Sequence, residues 1–243
     1  MRLTRCFVER PLQAGARLAL PESTANHLAR VLRLREGDAC ILFNGDGHDY
    51  DARLITIGKR EVVAEIVSMR MVDNESPLHI TLLQGIARGE KMDLILQKAT
   101  ELGVAAIIPV TAERTEVKLD AERAEKRVAH WRNVVASACE QSARARLPSL
   151  SPPAALAEAA RAVDGHATRL TLDPAGDVSL TTVQVASAAV VVAIGPEGGW
   201  SPRDLDTLSA AGFIGLRLGP RILRTETAGL AAIAALQSRF GDL

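Results

Sequence analysis

The chain has 243 residues, of which 47% are hydrophobic and 24% charged, and its 29 Lys and Arg balance 29 Asp and Glu. That length holds one large domain or two ordinary ones, and the composition is that of a globular protein. A formally neutral chain excludes strong binding to polyanions through its overall field, so any such contact must come from local patches. No run approaches the ~20 uncharged apolar residues of a membrane span, and the opening MRLTRCFVER lacks the apolar core of a secretory signal. The cysteines, Cys6, Cys40 and Cys139, are far apart and odd in number, which argues against a disulfide framework. No CxxC or His/Cys pairing points to a metal, and a cytoplasmic location is expected.

Residues 1–72 read as a small β-rich domain. Short apolar stretches (6–8, 17–20, 39–43, 50–57 and 62–67) alternate with turn signals, the clearest being Asn44-Gly45-Asp46-Gly47, a hairpin cue. Short strands at close spacing predict a small barrel. One helix interrupts them, with Ser23-Thr24 as its cap and His27, Leu28, Val31 and Leu32 on one face. Arg2, Arg5, Arg10, Arg30, Arg33 and Arg35 supply guanidiniums, but residues 1–70 carry 11 Lys/Arg against 9 Asp/Glu, an excess of only two. An ordinary solvated surface and an RNA-backbone surface both remain open.

The polar stretch 71–77 (MVDNESP) reads as a linker, and the texture then changes to strands alternating with helices over 73–243. Strands are predicted at 78–86, 104–110, 169–172 and 189–194. Helices are predicted at 91–102, closed by Gly103, at 121–145 and at 154–162. Apolar strands alternating with helices predict an α/β fold with a parallel sheet covered on both faces.

The richest stretch is the last fifth. AVVVAIGPEGGW leads to a helix with Ser201 at its N-cap and Pro202 at N1; IGLRLGPRILRTET leads to a second helix, capped by Thr225 or Thr227. An apolar run that stops at glycine marks the C-terminal end of a buried strand, and open α/β sheets bind ligands outside those ends. Gly195-Pro196-Glu197-Gly198-Gly199 is neither a P-loop nor a dinucleotide fingerprint. It is either a tight strand-to-helix turn or a place where backbone amides approach a ligand. The last helix is dominated by Ala and Gly, which allows close packing by another helix, a loop or a second subunit. On the helix at 91–102, Asp93, Gln97 and Glu101 share a face, the pattern of any solvated amphipathic helix. The five histidines do not cluster, so hydrolase and metalloenzyme readings lack residues.

Taken together, IGPEGGWS, LGPRILRTETA, KMDLILQKATELGV, CEQSAR and the opening TRCFV resemble the ribosomal RNA small subunit methyltransferase E family, which methylates N3 of a uridine in 16S rRNA. The segments stand in the family's order and extend from Arg5 to Gln237, with Trp200 and Ala99 at positions where the family varies. The resemblance implies a PUA-like barrel at 1–72 for RNA and a SPOUT-type α/β domain with a trefoil knot at 73–243. It also implies S-adenosyl-L-methionine as methyl donor and a homodimer acting on 16S rRNA or the small ribosomal subunit, with no metal. By that resemblance Leu172, Ile194, Gly195, Pro196, Glu197, Gly198, Gly199, Leu218, Gly219, Ile222, Leu223 and Thr227 bind the cofactor.

Uridine N3 is a poor nucleophile until its proton is lost, so the site must stabilise an anionic base or supply a general base. Arg224 is expected to do the former, and Glu197 or Glu226 the latter. N3 lies on the pairing edge, so the target must be unpaired or flipped out. Arg5, Arg30, Arg33, Lys91, Arg114 and Arg144 are expected to contact the RNA backbone. Two readings compete: a non-catalytic RNA-binding module on the same fold, and another doubly wound nucleotide-binding enzyme. The glycine loops argue against the first, and the missing phosphate fingerprints against the second.

Overall fold

The computed structural model describes residues 3–58, 61–118 and 120–243; Arg2, grouped above with the N-terminal arginines, lies outside them. The chain forms two compact units, Met1–Glu75 with Ala136–Leu147, and Ser76–Val135 with Pro148–Leu243.

The first unit contains β1 (Arg5–Phe7), β2 (Arg17–Ala19), α1 (Glu22–Asn26), β3 (Ala39–Phe43), β4 (His48–Ile57) and β5 (Val62–Met71). Among the described residues these strands form one sheet in the order β1-β3-β4-β5-β2. The β3–β4 hairpin turns at Asn44–Gly47, where Gly45 and Gly47 both have φ of 95°, a value L-residues rarely adopt. Asn44 and Asp46 side chains accept from the backbone N–H groups of Asp46 and His48, which closes the turn locally. Val62, Ala64 and Ile66 alternate inward to a core that also holds Leu28, Leu42 and Leu54.

The first helix differs from expectation. It follows Pro21 without a side-chain cap and passes into a π-helical turn, His27–Val31, in which Leu32 N–H bonds back five residues to the His27 carbonyl. The wider turn rotates the expected apolar stripe, so Leu28 is fully buried while Val31 is 68% exposed.

Arg5 and Arg144, expected on a phosphate surface, are instead internal ties, 6% and 4% exposed. Arg5 reaches Asp49 Oδ1 at 2.6 Å and donates to the carbonyls of Cys139 (2.7 Å) and Arg144 (3.2 Å), with its guanidinium over the Phe43 ring. Arg144 grips both oxygens of Glu75, at 3.1 and 2.5 Å. Glu140 Oε1 accepts from Phe7 N–H at 2.8 Å. Burial holds the Glu140 carboxyl above its ordinary value, against the pull of that hydrogen bond and of His27 and Arg5. These contacts place 136–147 with the first unit although it lies far away in sequence. All three thiols are free and buried, and burial pushes Cys6 and Cys139 up to about 12 and Cys40 to about 11, so none is a ready thiolate.

The second unit runs β6 (His79–Gly85), α2 (Glu90–Glu101), β7 (Ala106–Thr111), α3 (Ala121–Ser142, its last turns in the first unit), β8 (Ser149–Leu150), β9 (Ala154–Ala155) and α4 (Leu156–Ala162). It continues through β10 (Thr168–Leu172), β11 (Val178–Ser179), β12 (Ala189–Ile194), α5 (Pro202–Ala210), β13 (Ile214–Arg217) and α6 (Thr225–Phe240). Among the described residues the strands form a sheet in the order β11-β13-β10-β12-β6-β7-β8, with β9 also on β7, and every pairing is parallel. The two-residue strands β8, β9 and β11 have no hydrophobic period to announce them, and β9 takes the first two residues of the helix expected from Ala154.

Local signals are used as written. Ser201 and Asp204 form a reciprocal capping box with Pro202 at N1, and Gly103 closes α2 at φ 82°. The Ala-rich α6 has few large side chains to grip with. Its C-terminal half is held by Gln237, fully buried, whose Oε1 accepts from Ser76 Oγ at 2.6 Å and whose Nε2 donates to the Leu102 carbonyl at 3.1 Å.

Arg5→Ala leaves the buried Asp49 with only Arg70, at 2.7 Å, as ion partner. We expect a loss of about 3 kcal/mol in urea unfolding, toward the low end for a broken buried pair; a change under about 1 kcal/mol would show that Arg5 is not a structural tie.

Candidate active site

The parallel sheet points the C-terminal ends of β6, β10, β12 and β13 to one edge, and a cavity of about 370 Å³ opens there. Its walls are the stretches 172–174, 194–200, 218–219 and 221–225, with Leu205, Leu216 and Ala228. Of the residues expected at a cofactor, Leu172, Ile194 to Gly199, Leu218, Gly219, Ile222 and Leu223 line it, and so does Arg224. Thr227 does not, and neither does Glu226. The helix begins earlier than expected, with Arg224 as N-cap and Thr225 as its first residue. Successive helical residues turn by about 100°, so Thr225 faces the cavity while Thr227 is exposed elsewhere. Neither threonine caps the helix; Thr225 Oγ1 donates instead to the Gly195 carbonyl at 2.5 Å.

The glycine loop is packed backbone to backbone. A Cβ on Gly85 at the end of β6 would stand 2.4 Å from Pro196 N, and one on Gly198 would stand 2.9 Å from Arg114 Cβ. Arg114, expected at RNA, is exposed, but its Nη1 donates to the carbonyls of Gly198 (3.1 Å) and Trp200 (3.2 Å), so it holds the loop. Sequence reading missed Pro174, Trp200, Leu205, Leu216, Thr225 and Ala228 as cavity walls. Only Thr225, beside a predicted strand end, carried a usable signal, and it was read as a cap. The Trp200 indole N–H is buried without a partner within the protein, a donor available to a polar ligand.

Glu197 is committed. Its Oε1 accepts from Arg88 N–H at 2.9 Å and faces Lys91 Nζ at 3.5 Å. Burial pushes its carboxyl up, but the N–H groups of Arg88 and of Glu197 itself, together with Lys91, outweigh that and hold it below the ordinary carboxylate value. A carboxylate stabilised in this way accepts a proton less readily than a free one, and its contacts make it a tie for the loop. Lys91, expected at RNA, is one of its partners and is half-buried. Glu226 Oε2, in contrast, is buried with no hydrogen-bond partner. Arg224 is exposed at the rim, and Arg30 and Arg33 are exposed in the first unit, Arg33 at φ 55°. Among the described residues no group of three or more His, Cys, Asp or Glu is placed to hold a metal ion.

A folded-state pKa below the unfolded value gives stability that is full above the ordinary carboxylate pKa of about 4.3 and is lost as pH falls through the folded value. Glu197→Gln should therefore lower the melting temperature at pH 7, and the gap to wild type should narrow as pH falls below the ordinary carboxylate range. A gap that does not narrow would show that Glu197 is not held ionised by its neighbours.

Comparison with known proteins agrees with this geometry. Residues 74–237 match the RNA methyltransferase domain family and residues 20–67 the RNA methyltransferase PUA domain family. The α/β fold with a parallel sheet and the PUA-like N-terminal module are thus both present. Ribosomal RNA small subunit methyltransferase E of Buchnera aphidicola subsp. Schizaphis graminum is 33% identical over 242 residues, covering 100% of this chain and 98% of that protein. The Bacillus subtilis protein of that name is 28% identical, with 96% of each chain covered. Among solved structures, ribosomal RNA small subunit methyltransferase E of Neisseria gonorrhoeae bound to S-adenosyl methionine is 43% identical, with a TM-score of 0.95 over 99% of both chains. A putative methyltransferase of Legionella pneumophila in complex with the bound cofactor is 39% identical, with a TM-score of 0.96 over 100% of both chains. By full-length likeness in sequence and in structure, the chain belongs to the ribosomal RNA small subunit methyltransferase E family.

Proposed function

We propose that the protein transfers the methyl group of S-adenosyl-L-methionine to N3 of one uridine in 16S rRNA, and that it does so in the cytoplasm as a homodimer. In this reading residues 1–72 bind RNA and 73–243 form the methyltransferase domain, with the trefoil knot of the SPOUT class. The observation that carries the proposal is the cavity at the strand ends, walled by Gly195–Gly199, Leu218–Gly219 and Arg221–Leu223, in a chain whose relatives of 39% and 43% identity hold the cofactor.

The residues present fit that group. Apolar Leu172, Ile194, Leu216 and Leu218 suit a flat heterocycle, while glycine backbone and the unpaired Trp200 N–H suit its polar atoms. Bound there, the cofactor supplies an electrophilic methyl group on a sulfonium. The protein's part is to make N3 nucleophilic and to aim it. Arg224, at the N-cap of α6 and on the cavity wall, stabilises the negative charge that spreads to the base oxygens as the N3 proton leaves. Glu226, on the same first turn though not on the cavity wall, is the carboxylate proposed to take that proton; its Oε2 has no hydrogen-bond partner among the described residues. With the cofactor held between Gly195–Gly199 and Leu218–Gly219, its methyl carbon would go to the N3 pair freed by that proton while the S–C bond pair stayed on sulfur. Glu197 holds the loop through Arg88 and Lys91 and takes no proton.

Calorimetry with S-adenosyl-L-methionine and purified protein is the first test, and absence of binding overturns the proposal. Arg224→Ala should lower single-turnover methylation of small-subunit rRNA by about 100-fold or more, with cofactor affinity nearly unchanged. Equal losses in rate and affinity would make Arg224 a cofactor ligand instead. Arg30→Ala and Arg33→Ala should each reduce the slope of log affinity for rRNA against log salt by about one; an unchanged slope would remove them from the phosphate surface.

A further inference from the structure

Gln84 is the polar member of an otherwise apolar run, Ile80 to Ile86, interrupted only by Thr81 and Gly85, on a central strand of the parallel sheet. It is fully buried and stands in register with Ile194 of β12, one residue before the glycine loop. Its Nε2 donates to the Gly85 carbonyl at 2.9 Å and to Thr225 Oγ1 at 3.1 Å. Thr225 Oγ1 in turn donates to the Gly195 carbonyl at 2.5 Å. A hydroxyl has one proton; this one goes to Gly195, so toward Gln84 the hydroxyl can only accept. The direction of the chain, amide to hydroxyl to carbonyl, is fixed by that count, and each link polarises the next. The other end of the amide, Oε1, is buried without a partner.

An unpartnered buried carbonyl costs stability, and a Met of similar volume would fill the same space without it. Gln84 is therefore not explained by core packing. What it does join are the end of β6 and two pieces of the cavity wall, the first residue of the glycine loop and the first residue of α6, which directly follows Arg224.

We propose that Gln84 is a positioning residue for methyl transfer. Through the Thr225 hydroxyl it fixes the Gly195 carbonyl in the cavity wall and the backbone that presents Arg224 at the rim. The inference rests on the methyltransferase reading above.

The test is single-turnover methylation of small-subunit rRNA, with cofactor affinity and melting temperature measured on the same samples. Gln84→Met should slow transfer by about threefold to tenfold, the worth of one net hydrogen bond, while melting at or above the wild-type temperature. Thr225→Ser keeps the hydroxyl and should transfer faster than Thr225→Val. Thr225→Val should match Gln84→Met, and the double variant should be no slower than either single one, since both cut the same chain. A wild-type rate in Gln84→Met, or losses that multiply in the double variant, overturns the role of Gln84. Wild-type protein that transfers no methyl group overturns the functional reading and this role with it, so the two failures are told apart by the control.

Discussion

The Gly195 carbonyl is where the second unit is drawn together. It ends the most completely buried strand, begins the glycine loop, and accepts a 2.5 Å hydrogen bond from the first residue of α6. Around it there is no room: the neighbouring strand end must be glycine at position 85, because any side chain there would meet Pro196. Backbone packed this closely against backbone leaves the loop one conformation. A cavity wall made of main chain holds its shape without help from a ligand, and a preformed wall lowers the ordering cost of binding.

The same constraint shapes the charges. A glycine-rich loop has few side chains of its own, so it is held by charged groups from elsewhere. Arg114 ties the Gly198 and Trp200 carbonyls, and Arg88 N–H and Lys91 tie Glu197. Charged residues that look catalytic or RNA-facing in the sequence are spent on the scaffold. In the first unit Arg5 and Arg144 are used likewise, each bound by a carboxylate and, for Arg5, by two carbonyls as well. Arg224, Arg30 and Arg33 are exposed, and Glu226 Oε2 and Asp93 Oδ1 are buried with no hydrogen-bond partner among the described residues.

Much of this was legible beforehand, where a local rule dominates. The apolar runs became strands, the Asn-Gly-Asp-Gly turn became the β3–β4 hairpin, Gly103 closed α2, and Ser201 with Asp204 formed the cap box. The cavity loops were visible because glycine after an apolar strand has few other uses. What stayed hidden depends on partners far away in sequence. Nothing near Arg5 announces Asp49 or the Cys139 carbonyl, and nothing near Gln84 announces Thr225. The π-helical turn that exposes Val31 cannot be read from spacing, since the apolar period of the segment is that of an ordinary helix. Thr225 was misread because its capping propensity is real, while the helix starts with Arg224 at the N-cap and the Thr225 hydroxyl donates to Gly195, thirty positions upstream.

The account comes down to one modified base. Mass mapping of methylated nucleotides in 16S rRNA, from cells with the gene intact, deleted and restored, tests it directly. We expect a single uridine to carry a methyl group on N3 in the intact and restored strains and to lack it in the deletion. An unchanged methylation pattern in the deletion, or loss of a methyl group from a different base or ring atom, would contradict the account.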